Sequence, residues 1–434
     1  MSKDAGKLTF FRQTGWMVVA TTLGGAFMWL VHKPAAAGMP PVEYGYYLAM
    51  LQVMNLMMIP AIGLQTVFAN ETAAAVTPEL RRVLASTVRW GLAGVTVVWL
   101  LVVGGVALTQ HALLARLQIT RPALLWITVF IGLAMLWWPV LQGVLQGRQN
   151  FLWLGWLQIF NGVGRFLAVL VFVTLLGWNA VGAVTAALIG FWTAVGLALW
   201  QTGDILREPG APVDWRGWLA RVIPLSLGLG ASQFVMAADQ LVVQSVFDKS
   251  VTGFYGAAGT IGRALVFFTI PMVAVMFPKI VRSAALAEDT SVMKQALGVT
   301  ALMGGGAALA CTLFPKLPLW LMYEPEYLQV APLVPWFAWC MLPLTLANVL
   351  IGNLLARQRF RAVPWLVLVA AGYGVTLVLR GPSFQAMPQM AAFRSVVLTL
   401  GAFSTLLLGV SVWFTWGGTE KKSESRSGRN PKES

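Results

Sequence analysis

Twelve apolar stretches, each near the length that crosses a bilayer, follow one another almost without interruption. They run at approximately 13–31, 44–69, 83–109, 122–146, 151–176 and 178–201, then at 220–246, 253–278, 293–314, 328–355, 362–379 and 391–416. A transmembrane helix needs roughly 20 apolar residues, and backbone inside a bilayer must satisfy its own hydrogen bonds, which leaves helices as the spanning element for such runs. The pattern predicts an all-α polytopic membrane protein of about twelve transmembrane helices. Composition closes off the alternative: 58% of the 434 residues are hydrophobic and only 11% are charged, against about 25% charged in a soluble domain. A soluble enzyme of this length has no way to cover its surface with so few charges.

The first stretch follows Lys3, Lys7 and Arg12, as a signal peptide would, and Ala35-Ala36-Ala37 resembles a cleavage site. Its apolar run exceeds the ~7–15 residues of a signal core, so it reads as an uncleaved first span. With the N-terminus inside and twelve spans, 21 of the 30 Lys and Arg residues fall on the inner side, among them Arg81, Arg82, Arg148, Arg221, Lys279, Arg357 and Lys421. The outer side receives six, from Lys33 to Arg380, and three lie within spans. That asymmetry predicts both termini in the cytoplasm. The net charge of +14 therefore belongs to membrane topology; no polar stretch is long enough for a nucleic-acid-binding module.

The chain also repeats. Tyr44-Gly45 and Ile59-Pro60 match Tyr255-Gly256 and Ile270-Pro271, each 211 positions later, and LQGRQNF (Leu145 to Phe151) matches LLARQRF (Leu354 to Phe360) at an offset of 209. The chain divides into a six-helix half at 1–201, a cytoplasmic linker at 202–219, a second six-helix half at 220–416 and a disordered tail at 417–434. An even number of spans per half makes the repeats parallel, related by an axis along the membrane normal.

No GxxxxGK[ST], HExxH, CxxC or GxSxG occurs, and the external loops are too short for a catalytic domain. Cys311 and Cys340 lie inside apolar segments, which implies no disulfide framework. His32 and His111 fall near helix ends and read as solvated interfacial residues. Neither a metal site nor a cofactor is expected.

Four charged residues at membrane depth remain: Arg165 in span five, Asp239 in span seven, Arg263 in span eight and Arg394 toward the outer end of span twelve. A central Arg or Asp costs ~2.5–3.5 kcal/mol on the insertion scale, so lipid-facing placement is disfavoured. Helical spacing sets Gln158 and Asn161 on one stripe with Arg165, and Gln52 with Asn55, and Thr345 with Asn348, offer similar faces in spans two and ten. Together they outline a cavity with net positive charge between the halves. Two other readings stand beside it: Asp239 simply neutralises Arg263 or Arg165, or Arg394 snorkels to the interface. Pro60 and Pro271, at equivalent repeat positions, are candidate hinges; most of the 20 Trp read as an aromatic belt.

The order of these motifs resembles the multidrug/oligosaccharidyl-lipid/polysaccharide (MOP) exporter superfamily over approximately residues 8–416. The features that carry the resemblance are Tyr44-Gly45-Tyr46-Tyr47 opening span two, the LQGRQNF loop, GWNAVGAVTAALIG (Gly177 to Gly190), and Pro224 through Asp239 followed by Val251 to Gly256. Within it the chain looks most like the polysaccharide-type transporters, which flip undecaprenyl-pyrophosphate-linked glycans. The drug-exporter branch commonly carries an acid within its N-terminal half, whereas here that half has only Glu43 and Glu71, near span ends. The resemblance implies an alternating-access flippase in the bacterial inner membrane. Its cavity arginines would meet an anionic headgroup, with membrane lipids and polysaccharide-assembly enzymes as neighbours and a monomer as the working unit. A cation-coupled exporter of drugs or metabolites is the alternative, and a membrane-embedded glycan polymerase or ligase a further one. The stretch Arg380 to Met390, punctuated by prolines, departs from the family pattern.

Overall fold

The structure, a computed structural model, describes residues 3–264 and 291–417. Among them there is no strand. Helices α1 (Lys3–Leu30), α2 (Pro41–Met57, continued by Ile59–Ile62 and Leu64–Ala74), α3 (Pro78–Arg116), α4 (Pro122–Gly147), α5 (Phe151–Val169) and α6 (Asn179–Arg207) form the first set. Helices α7 (Trp215–Val246), α8 (described over 249–264), α9 (Ser291–Leu313), α10 (Val334–Ala356), α11 (Val363–Gln385) and α12 (Gln389–Trp416) form the second. Ten helices among the described residues are long and apolar enough to cross a membrane, or eleven when the bent α2 is counted as one. The remainder of span eight, the basic residues Lys279 and Arg282, the candidate hinge Pro271 and the tail 418–434 lie outside the described residues.

Local sequence explains the ends. Pro41, Pro78 and Pro122 open α2, α3 and α4, where the missing N–H costs nothing and the fixed φ is already helical. Thr77 accepts from Leu80 N at 3.3 Å and Asn150 from Trp153 N at 3.4 Å, capping α3 and α5. The repeated loop motif is one backbone device used twice. Gln149 (φ 56°) and Gln358 (φ 54°) take the left-handed conformation, and the next N–H reaches back to Leu145 O at 3.0 Å and Leu354 O at 2.9 Å, which closes α4 and α10 by the same reversal.

The packing order repeats too. In the first half α1 packs on α5, α5 on α6, α6 on α4, and α4 on α2 and α3. In the second, α7 packs on α11, α11 on α12, α12 on α10 and α10 on α9, while Gly262 of α8 lies against Phe337 of α10. Two six-helix halves thus share one architecture. Leu101 (72% exposed) and Leu108 (89%) on α3 would be untenable in water and are ordinary against lipid. The stretch Arg380 to Met390 is mostly helical: α11 runs through Pro382 to Gln385, and only the turn before Gln389 separates it from α12.

The halves meet along α2 and α7. At the basic end, Arg221 pairs with Glu71 at 3.0 Å, Ser226 Oγ donates to Pro60 O at 3.1 Å, and Trp218 packs edge-on to Phe68. Helix α2 turns by 41° between Ala61 and Leu64, directly after Pro60. At the opposite end, a methyl group on Gly45 would overlap Thr252 Oγ1, and one on Gly253 would overlap Pro41 O, so these glycines permit the backbones to touch. Gln118 donates there to Phe247 O at 2.9 Å.

Candidate functional site

Arg263 is buried on α8, and its helix makes room for it: Gly259, one turn earlier, has no side chain where the guanidinium folds back. Arg263 Nη2 lies 2.7 Å from both carboxylate oxygens of Asp239, and its Nε donates to Met236 O at 3.1 Å. Tyr255 Oη donates to Asp239 Oδ2 at 2.8 Å. Asp239 is 0% exposed and Arg263 6%, and Phe337 closes the site with its ring 5.8 Å from the guanidinium. Charge is cancelled within this cluster, as a buried pair requires.

Arg165, on α5, is 4% exposed and has no such partner. Its Nη2 donates to Tyr47 Oη at 2.8 Å, Nη1 lies 3.9 Å from Met28 Sδ, and Nε has no hydrogen-bond partner. The ion pairs among the described residues are Arg81–Glu208, Arg148–Asp204, Arg221–Glu71 and Arg263–Asp239; Arg165 belongs to none. Beside it, Asn161 is buried against Gly190 with its Oδ1 unpartnered. The sequence treats the two arginines alike; the structure pairs Arg263 with Asp239 and gives Arg165 no acidic partner among the described residues.

The other expected residues are distributed. Gln52 is buried on α2 and accepts from Asn55 Nδ2 at 3.1 Å. Gln158 shares the α5 stripe with Arg165, and Asn348 is half-buried on α10. Arg394 stands apart: it is exposed, with its guanidinium 3.8 Å from the Trp336 ring centroid, beside a notch of about 410 Å³ lined by Met390, Ala391, Ser395 and Leu398. A second concavity of about 280 Å³, lined by Val53, Leu56, Met57, Trp99 and Leu136 among others, is apolar. Neither has Arg165 or Arg263 in its wall.

A cluster that the sequence reading missed joins Arg165 to the second half. Tyr47 packs with His32 and Tyr44, their ring centroids 6.1 Å away in each case. Tyr44 Oη lies 2.8 Å from His32 Nδ1 and 3.0 Å from Tyr323 Oη, and Tyr327 packs on both Tyr44 and Tyr323. His32 is half-buried in this network, not a solvated helix-end residue, because the tyrosine hydroxyl takes the place of water. A signal was present: five of the seven tyrosines fall in two short runs, 44–47 and 323–327, at ends of spans expected on the same side.

No protein-family model and no curated protein sequence matches the chain. Solved structures do match in fold. A multidrug resistance MATE family transporter of the MOP superfamily, in an inward-facing conformation, superposes with a TM-score of 0.71 at 13% identity, covering 94% of this chain and 96% of that one. The lipid II flippase MurJ, in an inward closed conformation, gives 0.68 at 11% identity, with 97% and 94% covered. A MOP superfamily transporter from Pyrococcus furiosus, described as having a binding pocket of reverse polarity, gives 0.62 at 13% identity, with 97% and 96% covered. The chain has the fold of these transporters over nearly its whole length.

Proposed function

We propose that this protein is an alternating-access flippase that carries a lipid-linked oligosaccharide, of the undecaprenyl-pyrophosphate type, across the bacterial inner membrane. The observation that carries this reading is Arg165: a cation 4% exposed with no acidic partner among the described residues. Burying a charge without a counterion costs several kcal/mol, and a diphosphate headgroup offsets that cost. Arg165 Nε is unpartnered, and the planar guanidinium suits two phosphate oxygens at once. Gln158 and Asn161, on the same stripe, supply neutral hydrogen-bonding groups for a polar head, and Gln52, Asn55 and Asn348 extend them on α2 and α10.

The fold shared with both a MATE transporter and a lipid II flippase supports transport and is neutral between cargoes. In this reading the termini and the basic end face the cytoplasm, as the Lys/Arg bias requires. The headgroup enters there, the halves rock about the α2 bend at Pro60, and the headgroup leaves at the opposite end while the prenyl chain stays in the bilayer. The substrate reaches the protein from polysaccharide-assembly enzymes, and a single chain suffices.

The test is flipping of a fluorescent undecaprenyl-pyrophosphate oligosaccharide in proteoliposomes. Wild-type protein should translocate it, and Arg165→Ala, reconstituted at equal amount, should not. Equal rates would overturn the headgroup role. A cation-coupled drug exporter is the second reading, favoured by the buried acid Asp239. Its contacts with Arg263 at 2.7 Å weigh against it, because that carboxylate is already engaged. A deletion strain that loses drug resistance and keeps its surface glycan would select this second reading.

A further inference from the structure

We propose that His32, Tyr44, Tyr47 and Tyr323 form a latch that holds the outer ends of the two halves together, and that an anion arriving at Arg165 releases it. The proposal rests on the reading of Arg165 as the anion site and adds what occupancy of that site does. The chain of contact is continuous. Arg165 Nη2 donates to Tyr47 Oη at 2.8 Å, and the Tyr47 ring packs on those of His32 and Tyr44. The Tyr44 hydroxyl sits between His32 Nδ1 at 2.8 Å and Tyr323 Oη at 3.0 Å. The last contact crosses from one half to the other.

Placement favours a latch over ordinary core. Tyr44, Tyr47 and Tyr327 are 0% exposed, yet they stand in the opening turns of α2 and in the segment before α10, at the end where Gly45 and Thr252 bring the halves into backbone contact. Apolar rings would fill that space equally well. Hydroxyls there serve to make the closure depend on a few directional bonds, each worth little net. Tyr47 is the only hydrogen-bonding side chain on Arg165 among the described residues, apart from the weak Met28 sulfur contact. A diphosphate competes for the same guanidinium N–H, offering a charged acceptor and two oxygens for the fork where Tyr47 offers one neutral hydroxyl. Losing Arg165 frees Tyr47, loosens its packing on His32 and Tyr44, and weakens the cross-half hydroxyl pair. The residues of the latch are positioning residues; only Arg165 touches the anion.

The reporter is Thr252→Cys in a chain also carrying Cys311→Ser and Cys340→Ser, since Thr252 is 0% exposed at the outer seam. In purified protein, labelling by a membrane-impermeant maleimide reads how often the halves part there. Tyr44→Phe and Tyr323→Phe keep the rings and remove the cross-half bond, so each should raise the labelling rate about two- to tenfold, the range of one net hydrogen bond. Tyr47→Phe should raise it by a comparable factor. Inorganic pyrophosphate should raise the rate in the parent and leave it unchanged in Arg165→Ala, whose rate should already be high. Unchanged labelling in all three phenylalanine variants would overturn the latch. Pyrophosphate insensitivity of the parent, with Arg165-dependent flipping intact, would overturn the coupling while the functional proposal survives. The opposite result, a latch that responds to pyrophosphate in a protein that flips no glycan lipid, would support the latch and sink the cargo.

Discussion

In the C-terminal half, Arg263 is held by both oxygens of Asp239 and by Met236 O; in the N-terminal half, Arg165 meets a tyrosine hydroxyl and a thioether. The repeat allows the two halves to be compared position by position. The positions 211 residues before Arg263 and Asp239 hold Gln52 and Met28. The first half therefore lacks the pair that the second half buries. It carries its cation on α5 instead, with Met28 facing it where the second half places the acid. One half buries its cation against an acid, and the other buries its cation with no acidic partner among the described residues.

The largest effect should come from breaking the pair. Asp239→Asn leaves Arg263 buried without a counterion and should cost about 3–5 kcal/mol, read as lost membrane abundance and a lower unfolding temperature in detergent. Arg263→Met added to Asp239→Asn removes the stranded charge and should restore abundance. If the double variant stays as depleted as the single one, the pair is not what Asp239 contributes.

Arg165 should behave oppositely. Arg165→Ala should leave abundance normal, since removing a central arginine eases insertion by ~2.5–3.5 kcal/mol, while headgroup binding falls by about 2–5 kcal/mol and flipping is lost. Lysine at this position keeps a point charge without the planar fork and should rescue flipping in part. A destabilised Arg165→Ala protein would erase the contrast between the halves.

Converting one half into the other sharpens it. Met28→Asp sets a carboxylate beside Arg165, whose Nη1 is 3.9 Å from the present sulfur. The variant should match wild type in thermal stability or exceed it, and should flip as poorly as Arg165→Ala. Retained flipping would mean that a free charge at Arg165 is not required. The smallest effect belongs to the exposed pair at the basic end: Arg221 is 52% exposed, so Arg221→Ala should change stability by about 0–1 kcal/mol in the same melting assay.

Apolar run length and the repeated motifs made the membrane class, the all-helical fold and its doubled architecture legible along the chain, whereas the left-handed reversals at Gln149 and Gln358 appear only in the structure. Apolar length and helical period are local properties, and a repeat at a fixed offset is legible wherever it falls. It also marked Arg165, Asp239 and Arg263 as exceptional, because a charge at membrane depth has a cost regardless of its surroundings. Which arginine Asp239 neutralises was decided only by tertiary structure, since α5 and α8 both offer a cation at comparable depth and the choice depends on which helix packs against α7. The same holds for Arg394, moved to the exposed face over Trp336, and for His32, drawn into the tyrosine network. Tyr44 and Tyr323 stand 279 positions apart, and the chain shows only that both tyrosine runs fall at span ends on the same side, not that their hydroxyls pair. At that same end, glycines at 45 and 253 let α2 and α8 touch.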